Sequence, residues 1–349
     1  MLAYVIHEFG GPEQFAKMDL PQPTAEPGQV LIRVAATSVN PVDYKIRSGD
    51  ARALGPDLPA RLHGDVSGIV HAVGEHVTRF KPGDAVYGCV GGVKGTQGVL
   101  ADFALANERL LALAPRTIPL VDAAALPLVA ITAWEGWDKC GCGENQRVLV
   151  HGGTGGVGHL ALQLAKARGA QVTATVGSDD KTAIAQNLGA DHVINYKNED
   201  TEAYVNRITG GLGFDCVFDT VGGENIPRAV AAARLNGQVV CIQGRAEIRG
   251  EAFHARGVSW HLVFMLIPML HGIEQDRHGQ ILTQLAAMVD DGRVRPLIDA
   301  ERFTFDQIGK AHAYAESGRQ IGKVLVVRDA RALQDPLTAE AVAELPSPG

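Results

Sequence analysis

Apolar positions follow two different patterns along the chain. Up to about residue 120 they form short runs of strand type, such as residues 30–34 and 67–73, and turn signals rich in Gly, Pro and Asp separate the runs. Beyond about residue 121, helical patterns alternate with short, continuously apolar strands, which is the order typical of a parallel sheet covered by helices. The chain therefore predicts a β-rich first part and an α/β second part.

The second part has the more regular alternation. Its predicted strands are residues 148–150, 171–176, 192–194, 216–219 and 238–242, and its predicted helices are residues 157–167, 181–188, 202–208 and 226–235. This succession predicts a doubly wound parallel sheet. A last apolar run at residues 323–327 has no helix after it, and we expect it to fold back onto the β-rich part.

A glycine-rich loop joins the first of these strands to its helix. Gly153, Gly155 and Gly158 fit the pattern G-x-G-x-x-G, directly after the strand and directly before the helix. In this pattern the first glycine permits the tight turn, the second lets the backbone approach a pyrophosphate, and the third lets the helix pack on the strand. The N–H groups of the helix's first turn then face the phosphates. A glycine-rich surface turn is the alternative, but the flanking strand and helix favour a dinucleotide site.

The end of the next strand bears on the choice of nicotinamide cofactor. In NAD-preferring loops an acidic residue at this place binds the ribose 2′-hydroxyl. Here the strand at 171–176 is followed by Ser178, and Lys181 lies one helical turn away. A hydroxyl and an ammonium suit a 2′-phosphate, so the sequence favours NADP over NAD. Asp179 and Asp180 lie between them, either as solvated residues of a first helical turn or as charges that weaken this preference.

Composition excludes several classes of protein. At 349 residues the chain has room for two domains, and its net charge of −7 argues against nucleic acid or an anionic membrane as partner. Its five cysteines show no C-x-x-C pair, and no basic segment followed by an apolar one opens the chain, so we expect a cytoplasmic protein. The longest apolar run, residues 262–270, is interrupted by Pro268 and is far shorter than the about 20 residues that span a bilayer.

Further segments carry a resemblance to known proteins. They are Asn40-Pro41-Val42-Asp43, Gly64-Asp65-Val66-Ser67-Gly68, Ala125-Leu126-Pro127, Ile131-Thr132-Ala133-Trp134 and Ile321-Gly322-Lys323-Val324-Leu325. Together with the glycine-rich loop they resemble the medium-chain dehydrogenase/reductase superfamily, and within it the zinc-free quinone oxidoreductases of the zeta-crystallin branch. The likeness covers about residues 1–328, nearly the whole chain.

The resemblance implies the domain organisation. We expect a GroES-like catalytic domain at residues 1–120 and 261–330, a Rossmann domain at residues 121–260, and a flexible tail at residues 331–349. It also implies a homodimer joined through the edge strand of the Rossmann sheet, here predicted at residues 238–242.

The resemblance further implies which residues hold the cofactor. The loop residues expected to hold the pyrophosphate are Gly153, Gly155, Gly156, Val157 and Gly158. The residues that match contacts of the 2′-phosphate in NADPH-using relatives are Ser178, Lys181 and Tyr196. This second set agrees with the charge argument made above.

The substrate side is implied by fewer residues. Asn40 and Thr132 match residues that line the nicotinamide and substrate cleft. Tyr44 and Lys45 are further candidates for donating hydrogen bonds to a developing oxyanion. The relatives often carry Tyr five positions after the Asn, where this chain has Lys45, so we assign no proton donor.

Zinc-dependent members of the superfamily hold a catalytic Zn²⁺ at three separated positions. By alignment to the motifs above, these positions are Asn40, Gly64 and Leu128 in this chain, and none offers a thiolate or an imidazole. The four-cysteine structural zinc lobe is also missing from the sequence. His63 and Asp65 flank the second position and leave a substitute site open, but we expect no metal.

These observations predict an NADPH-dependent oxidoreductase that transfers hydride to a quinone-type acceptor. Without a Lewis acid, acceptors that are already electrophilic suit the site better than simple ketones. A 2-alkenal, enone or enoyl-thioester reductase on the same scaffold is the first alternative. An NADPH-binding structural or regulatory protein with little catalysis, and a zinc alcohol dehydrogenase, are the others.

Overall fold

The computed structural model describes residues 1–244, 250–329 and 331. Its strands are β1 (Leu2–Ile6), β2 (Phe15–Asp19), β3 (Gln29–Ser38), β4 (Asp65–Val73), β5 (Ala85–Cys89), β6 (Phe103–Asn107), β7 (Leu111–Leu113), β8 (Arg147–His151), β9 (Gln171–Val176), β10 (His192–Asn195), β11 (Phe214–Asp219), β12 (Ala233–Cys241), β13 (Ser259–Leu262), β14 (Phe303–Thr304) and β15 (Leu325–Val327). Its α-helices are α1 (Pro41–Ser48), α2 (Leu120–Ala123), α3 (Pro127–Cys140), α4 (Gly158–Ala167), α5 (Thr182–Asn187), α6 (Thr201–Thr209), α7 (Ile226–Ala232), α8 (Gly250–Arg256), α9 (Ile267–His271), α10 (Gln275–Asp290) and α11 (Ile308–Glu316).

The chain divides into two compact units. The first comprises Met1–Leu128, Leu266–Gly292 and the chain from Ile298, and the second comprises Val129–Met265 and Arg293–Leu297. The domain boundaries that we expected at 120/121 and 260/261 stay a prediction. Apart from Arg331, the expected tail at 331–349 lies outside the described residues.

The second unit contains a six-stranded sheet in the order β10-β9-β8-β11-β12-β13, and every neighbouring pair is parallel. Numbered within the sheet, this order is 3-2-1-4-5-6, the doubly wound arrangement that binds dinucleotides where the strand order reverses. The inner strands are apolar on both faces because helices cover both; Val148, Leu149 and Val150 of β8 are fully buried. The predicted fold class is confirmed.

Two details of this sheet differ from the sequence-based expectation. The helix predicted at 226–235 ends at Ala232, because Ala233 takes up an extended conformation and pairs with Phe214 of β11. The strand predicted as the sheet edge at 238–242 is wrong in that role, since β12 pairs with β11 on one side and with β13 on the other. The strand at this edge of the sheet is β13, and β10 lies at the opposite edge. The last residue of β13, Leu262, is also the first residue of the apolar run at 262–270.

The first unit contains a mostly antiparallel sheet in the order β14-β15-β3-β4-β5-β7, with β6 also paired to β3 and β1 paired to β2 outside it. The ten-residue strand β3 is central and buried along most of its length. The C-terminal strand β15 pairs antiparallel with the end of β3, so the predicted return of the chain to the β-rich part is confirmed. In the part of the chain that the structure describes, every helix is too short or too polar to cross a bilayer.

Candidate active site

The glycine-rich loop lies between β8 and α4 in the second unit. Its left-handed residue is Gly152, with φ of 70°, so the tight turn that we expected at Gly153 lies one residue earlier. Gly153 instead allows close packing of neighbouring strands, since a Cβ atom there would lie 2.7 Å from the Cβ of Ala174. A Cβ atom at Gly158 would overlap the carbonyl oxygen of Gly152, so only glycine lets the helix start this close to the loop.

The N-terminus of α4 presents backbone donors. The N–H groups of Gly156, Val157 and Gly158 donate no hydrogen bond to another residue in the described part of the chain. Gly155, Gly156 and Val157 are half-buried, so their backbone is accessible from one side. Unpaired N–H groups at the positive end of a helix dipole form a site for a phosphate group.

Three residues predicted to bind a 2′-phosphate lie near one another at the end of β9. The N–H of Tyr196 donates to the carbonyl of Val176 at 3.2 Å, and the N–H of Lys181 donates to the carbonyl of Ser178 at 3.2 Å. The hydroxyl of Tyr196 lies 3.0 Å from the point where a Gly177 Cβ would be. The backbone therefore places Ser178, Lys181 and Tyr196 at the same strand end, with the phenol of Tyr196 next to Gly177.

Two carboxylates share this strand end. Asn195 donates from Nδ2 to Oδ1 of Asp179 at 2.7 Å, which ties that carboxylate to β10. The hydroxyl of Ser178 donates to the Asp180 carboxylate and lowers its pKa. Asp180 is thus ionised at neutral pH and competes with any bound phosphate for the Ser178 hydroxyl.

In the first unit, Asn40 is the N-cap of α1 and is fully buried. Its N–H donates to Oδ2 of Asp43 at 2.7 Å, which fixes the start of the helix. Tyr44 and Lys45 lie half-buried on the same helix. Burial raises the pKa of Tyr44, so its hydroxyl keeps the proton at neutral pH.

The side chain of Asn40 belongs to a buried polar cluster that the sequence did not reveal. Its Nδ2 donates to Oδ2 of Asp65 at 2.7 Å, and its Oδ1 accepts a short hydrogen bond from Nζ of Lys323. Lys323 also donates to the carbonyl of Val39 at 3.0 Å, and Oδ1 of Asp65 accepts from the N–H of Leu128 at 2.8 Å. The motifs containing Asp65 and Lys323 were visible in the sequence, but the two residues lie 258 positions apart and no local signal links them. The pairing of β15 with β3 brings them together.

Burial sets the charges in this cluster. Desolvation raises the pKa of Asp43 to about 7 and also raises the pKa of the Cys89 thiol, which therefore stays protonated. Desolvation also lowers the pKa of Lys323, although the neighbouring Asp65 and Asp43 oppose that shift. The cluster therefore holds one ammonium among carboxylates, out of contact with water.

His63, which flanks one of the aligned zinc-ligand positions, is committed elsewhere. Its Nδ1 lies 3.1 Å from Oγ1 of Thr37, and its Nε2 lies 2.8 Å from Nε2 of His312. His312 is in turn contacted by Arg47, whose guanidinium forms a two-bond ion pair with Glu316 at 3.0 and 2.9 Å. Burial lowers the pKa of His63 to about 3 and that of His312 well below its usual range.

The residues at the aligned zinc positions do not fit a zinc ion. Across residues 1–244, 250–329 and 331, no three or more His, Cys, Asp and Glu side chains are grouped so that they could hold a metal. At Gly64, a Cβ atom would lie only 2.8 Å from the carbonyl oxygen of Gly91 and 2.9 Å from Sγ of Cys89. A histidine ligand has no room at that position.

Two further observations concern the second unit. Thr132 is buried on α3, and its role toward a substrate stays a prediction. At the point where the sheet order reverses, Asp219 at the end of β11 accepts at Oδ1 from Asn225 at 2.9 Å, and Asn225 lies 2.6 Å from Nδ1 of His151 at the end of β8. The other oxygen of Asp219 is buried without a hydrogen-bond partner in the described part of the chain. Sequence reasoning missed this group because its members lie on separate strands and loops.

Comparison with known proteins identifies both halves of the chain. Residues 26–116 match the family described as the alcohol dehydrogenase GroES-like domain, and residues 188–326 match the family described as zinc-binding dehydrogenase. The chain is 36% identical over 311 residues to 2-methylene-furan-3-one reductase of Solanum lycopersicum, covering 87% of this chain and 73% of that one. It is 33% identical to the chloroplastic NADPH-dependent alkenal/one oxidoreductase of Arabidopsis thaliana, covering 93% and 79% of the two chains.

Quinone oxidoreductases are among the other matches. The quinone oxidoreductase of Rattus norvegicus is 30% identical over 332 residues, with 94% of this chain and 98% of that one covered. Among solved structures, an alcohol dehydrogenase superfamily protein from Novosphingobium aromaticivorans is similar with a TM-score of 0.90 and 36% identity, covering 94% of this chain and all of the other. The Escherichia coli quinone oxidoreductase complexed with NADPH is similar with a TM-score of 0.82 and 25% identity, covering 94% and 100%.

These matches confirm the resemblance read from the motifs and the GroES-like and Rossmann folds implied by it. The chain belongs to the quinone oxidoreductase branch of the medium-chain dehydrogenase/reductase superfamily.

Proposed function

We propose that this protein is an NADPH-dependent oxidoreductase that reduces a quinone without zinc. The observation that carries the proposal is the meeting of Ser178, Lys181 and Tyr196 at the end of β9, because these groups suit a 2′-phosphate and β9 follows the glycine-rich loop. One relative is named as NADPH-dependent, and two similar structures hold NADPH, whereas three other relatives are named as NAD(P)H oxidoreductases and one similar structure as an NAD-dependent alcohol dehydrogenase. NADPH, when bound, supplies a hydride from C4 of its nicotinamide.

The chain's own residues bind and orient the reactants. The backbone N–H groups of Gly156, Val157 and Gly158 would hold the pyrophosphate, and the small residues Gly153 and Gly155 of the same loop would let it approach the backbone. In this proposal Asn40 and Thr132 line the place where nicotinamide and acceptor meet. Tyr44 and Lys45 on α1 would donate hydrogen bonds to the oxygen that becomes negative as the hydride arrives. An already electrophilic acceptor needs no further polarisation by a metal.

A conjugated carbonyl compound is the second candidate acceptor. The two relatives of highest identity reported above are named as reductases of a methylene-furanone and of alkenals or enones. On such a substrate the hydride goes to the β-carbon and the same donors stabilise the enolate oxygen. Steady-state NADPH oxidation with a 1,4-benzoquinone and with a 2-alkenal, at equal concentrations, separates the two. A kcat/KM for the 2-alkenal higher by about tenfold or more would favour the second candidate. Tight NADPH binding with no oxidation by either class would instead favour a binding protein.

The cofactor preference is tested with K181A. A hydrogen bond to a charged group is worth about 1.5–3 kcal/mol, so the Kd for NADPH should rise by about 10- to 100-fold while the Kd for NADH changes by less than about twofold. Isothermal titration calorimetry measures both. K310A, which removes an exposed lysine from the first unit, is the charge-matched control and should change neither. Equal losses for NADPH and NADH in K181A would contradict the assignment.

Assembly and location form part of the proposal. We expect a homodimer joined along the edge strand β13, where Leu262 is 45% exposed and the nearby Phe264 is 44% exposed. We place the protein in the cytoplasm, since all five cysteines are buried as free thiols, as a reducing compartment would leave them.

A further inference from the structure

The aligned zinc-ligand positions meet around a single carboxylate in the first unit. Asp65 directly follows Gly64, accepts a hydrogen bond from the N–H of Leu128 at Oδ1, and accepts one from the side chain of Asn40 at Oδ2. The three positions therefore lie around the Asp65 carboxylate. Their side chains, however, are an amide, a hydrogen atom and an aliphatic group, which do not bind zinc.

A positive charge is nevertheless present at this place. The ammonium of Lys323 is 3% exposed, donates to Oδ1 of Asn40 and to the carbonyl of Val39, and lies 3.8 Å from Oδ2 of Asp65. An ammonium removed from water is strongly disfavoured unless it is paired and hydrogen-bonded. Here a carboxylate and two carbonyl-type oxygens satisfy it, so the fold holds a buried cation in contact with Asn40, one of the three aligned positions.

This arrangement fixes the orientation of the Asn40 amide by chemistry alone. Lys323 can only donate, so the atom facing it is the amide oxygen. Asp65 accepts through Oδ2, which also receives a bond from Ser38 Oγ at 2.7 Å, so the atom facing it is the amide nitrogen. The second hydrogen of Nδ2 has only a 3.5 Å contact with the Ser38 carbonyl, at the limit of a hydrogen bond. A cation on the amide oxygen also polarises the amide and strengthens its N–H groups as donors.

We infer that the Lys323 ammonium takes the place of the superfamily's catalytic metal as a built-in cation, and that with Asp65 it positions and polarises Asn40 for hydride transfer. Lys323 and Asp65 are thus positioning residues that act through Asn40. The inference rests on the proposed function only in that NADPH oxidation is its readout.

The first test compares K323M with R328M. Methionine keeps the length of the side chain without its charge. R328M removes a cation from the same C-terminal segment, but Arg328 is not part of the cluster: its guanidinium pairs with the Asp102 carboxylate at a distance of 2.6 Å. We expect K323M to lower kcat by about 100-fold with KM for NADPH within about threefold, because misplacing one oriented group has an effect of this size on the reacting geometry. R328M should keep the wild-type kcat. Single-turnover NADPH oxidation measures the hydride step, and thermal unfolding shows which variants are folded.

The second test exchanges the amide and the carboxylate in N40D/D65N. This double variant keeps the charge balance and the hydrogen-bonding groups around Lys323, so a purely structural ion pair predicts near wild-type melting and near wild-type kcat. The positioning role predicts a melting temperature near that of the wild type but a kcat lowered by about 10- to 100-fold, because position 40 no longer carries the amide donor. If K323M does not fold, this exchange decides the matter.

The outcomes are distinct. A folded K323M with wild-type kcat, or an N40D/D65N variant with wild-type kcat, would overturn the inference while leaving the proposed function standing. If neither a quinone nor an enone supports NADPH oxidation by the wild-type protein, the proposed function is refuted.

Discussion

The buried histidine pair shows how single residues in the first unit constrain one another. Arg47 can only donate, so the 3.3 Å contact makes Nδ1 of His312 an acceptor and places the His312 proton on Nε2. That proton is donated to Nε2 of His63 at 2.8 Å, which leaves the His63 proton on Nδ1, facing Thr37. Both rings are therefore neutral, in agreement with the lowering of both pKa values by burial.

Acid should destabilise the fold through this pair. The pKa of His312 lies well below 6.5 in the folded chain, whereas it is about 6.5 in an unfolded chain, so protons bind the unfolded state preferentially as pH falls through 6.5. H312Q removes this contribution. We expect the difference in unfolding free energy between wild type and H312Q to shrink by about 2 kcal/mol between pH 7.5 and pH 5, measured by urea unfolding. H192Q, at the exposed start of β10, is the control for loss of an imidazole. Parallel profiles for wild type and H312Q would contradict the neutral pair.

Among the structural elements, the loop between β8 and α4 separates a folding role from a binding role in neighbouring glycines. At Gly158 a Cβ atom would overlap the backbone of Gly152, whereas at Gly155 it would lie 3.2 Å from the Gly152 carbonyl oxygen, a contact that a small shift relieves. Packing therefore requires the third glycine of the motif, whereas packing alone does not require the second. In the proposed function, the second glycine is required by the pyrophosphate that approaches the backbone.

G155A and G158A form a matched pair of variants. We expect G155A to melt within about 3 °C of wild type but to bind NADPH at least about tenfold more weakly, because the methyl group stands where the pyrophosphate approaches. G158A should lose about 2 kcal/mol or more of stability, since backbone atoms have to move. Thermal unfolding and NADPH titration measure the two effects. A G155A variant that binds NADPH as wild type does would argue against the loop as the pyrophosphate site.

Elements were predictable where the signal was local. The strands around the glycine-rich loop and the loop itself follow from apolar runs and turn residues that lie within one window of sequence. The end of α7 could not be predicted from the sequence, because the pairing of Ala233 with Phe214 of β11 overrides the helical pattern. The cluster of Asn40, Asp65 and Lys323 did not follow either, since its members meet only when β15 returns to β3 and no periodicity records that contact.

At the scale of the whole molecule, the proposed homodimer depends on β13. It leaves one side of the parallel sheet open, and exposed apolar side chains follow it in the chain. We expect sedimentation velocity to give a dimer for wild type and a monomer for L262D, because a carboxylate placed in a pairing edge opposes its own copy. L212D changes a leucine of the same unit that is 66% exposed and should remain dimeric. A dimeric L262D would place the interface elsewhere.

The crowding around Gly64 limits which substitutions the chain accepts at this position. Restoring a histidine there would displace Gly91 and Cys89, which leave only 2.8 and 2.9 Å to the first side-chain atom. Restoring a thiol at position 40 would strip two buried charges of the amide between them, a change that is strongly destabilising. Each single substitution toward a zinc ligand set therefore destabilises the fold before the other ligands are present, so no one substitution converts this chain into a zinc protein.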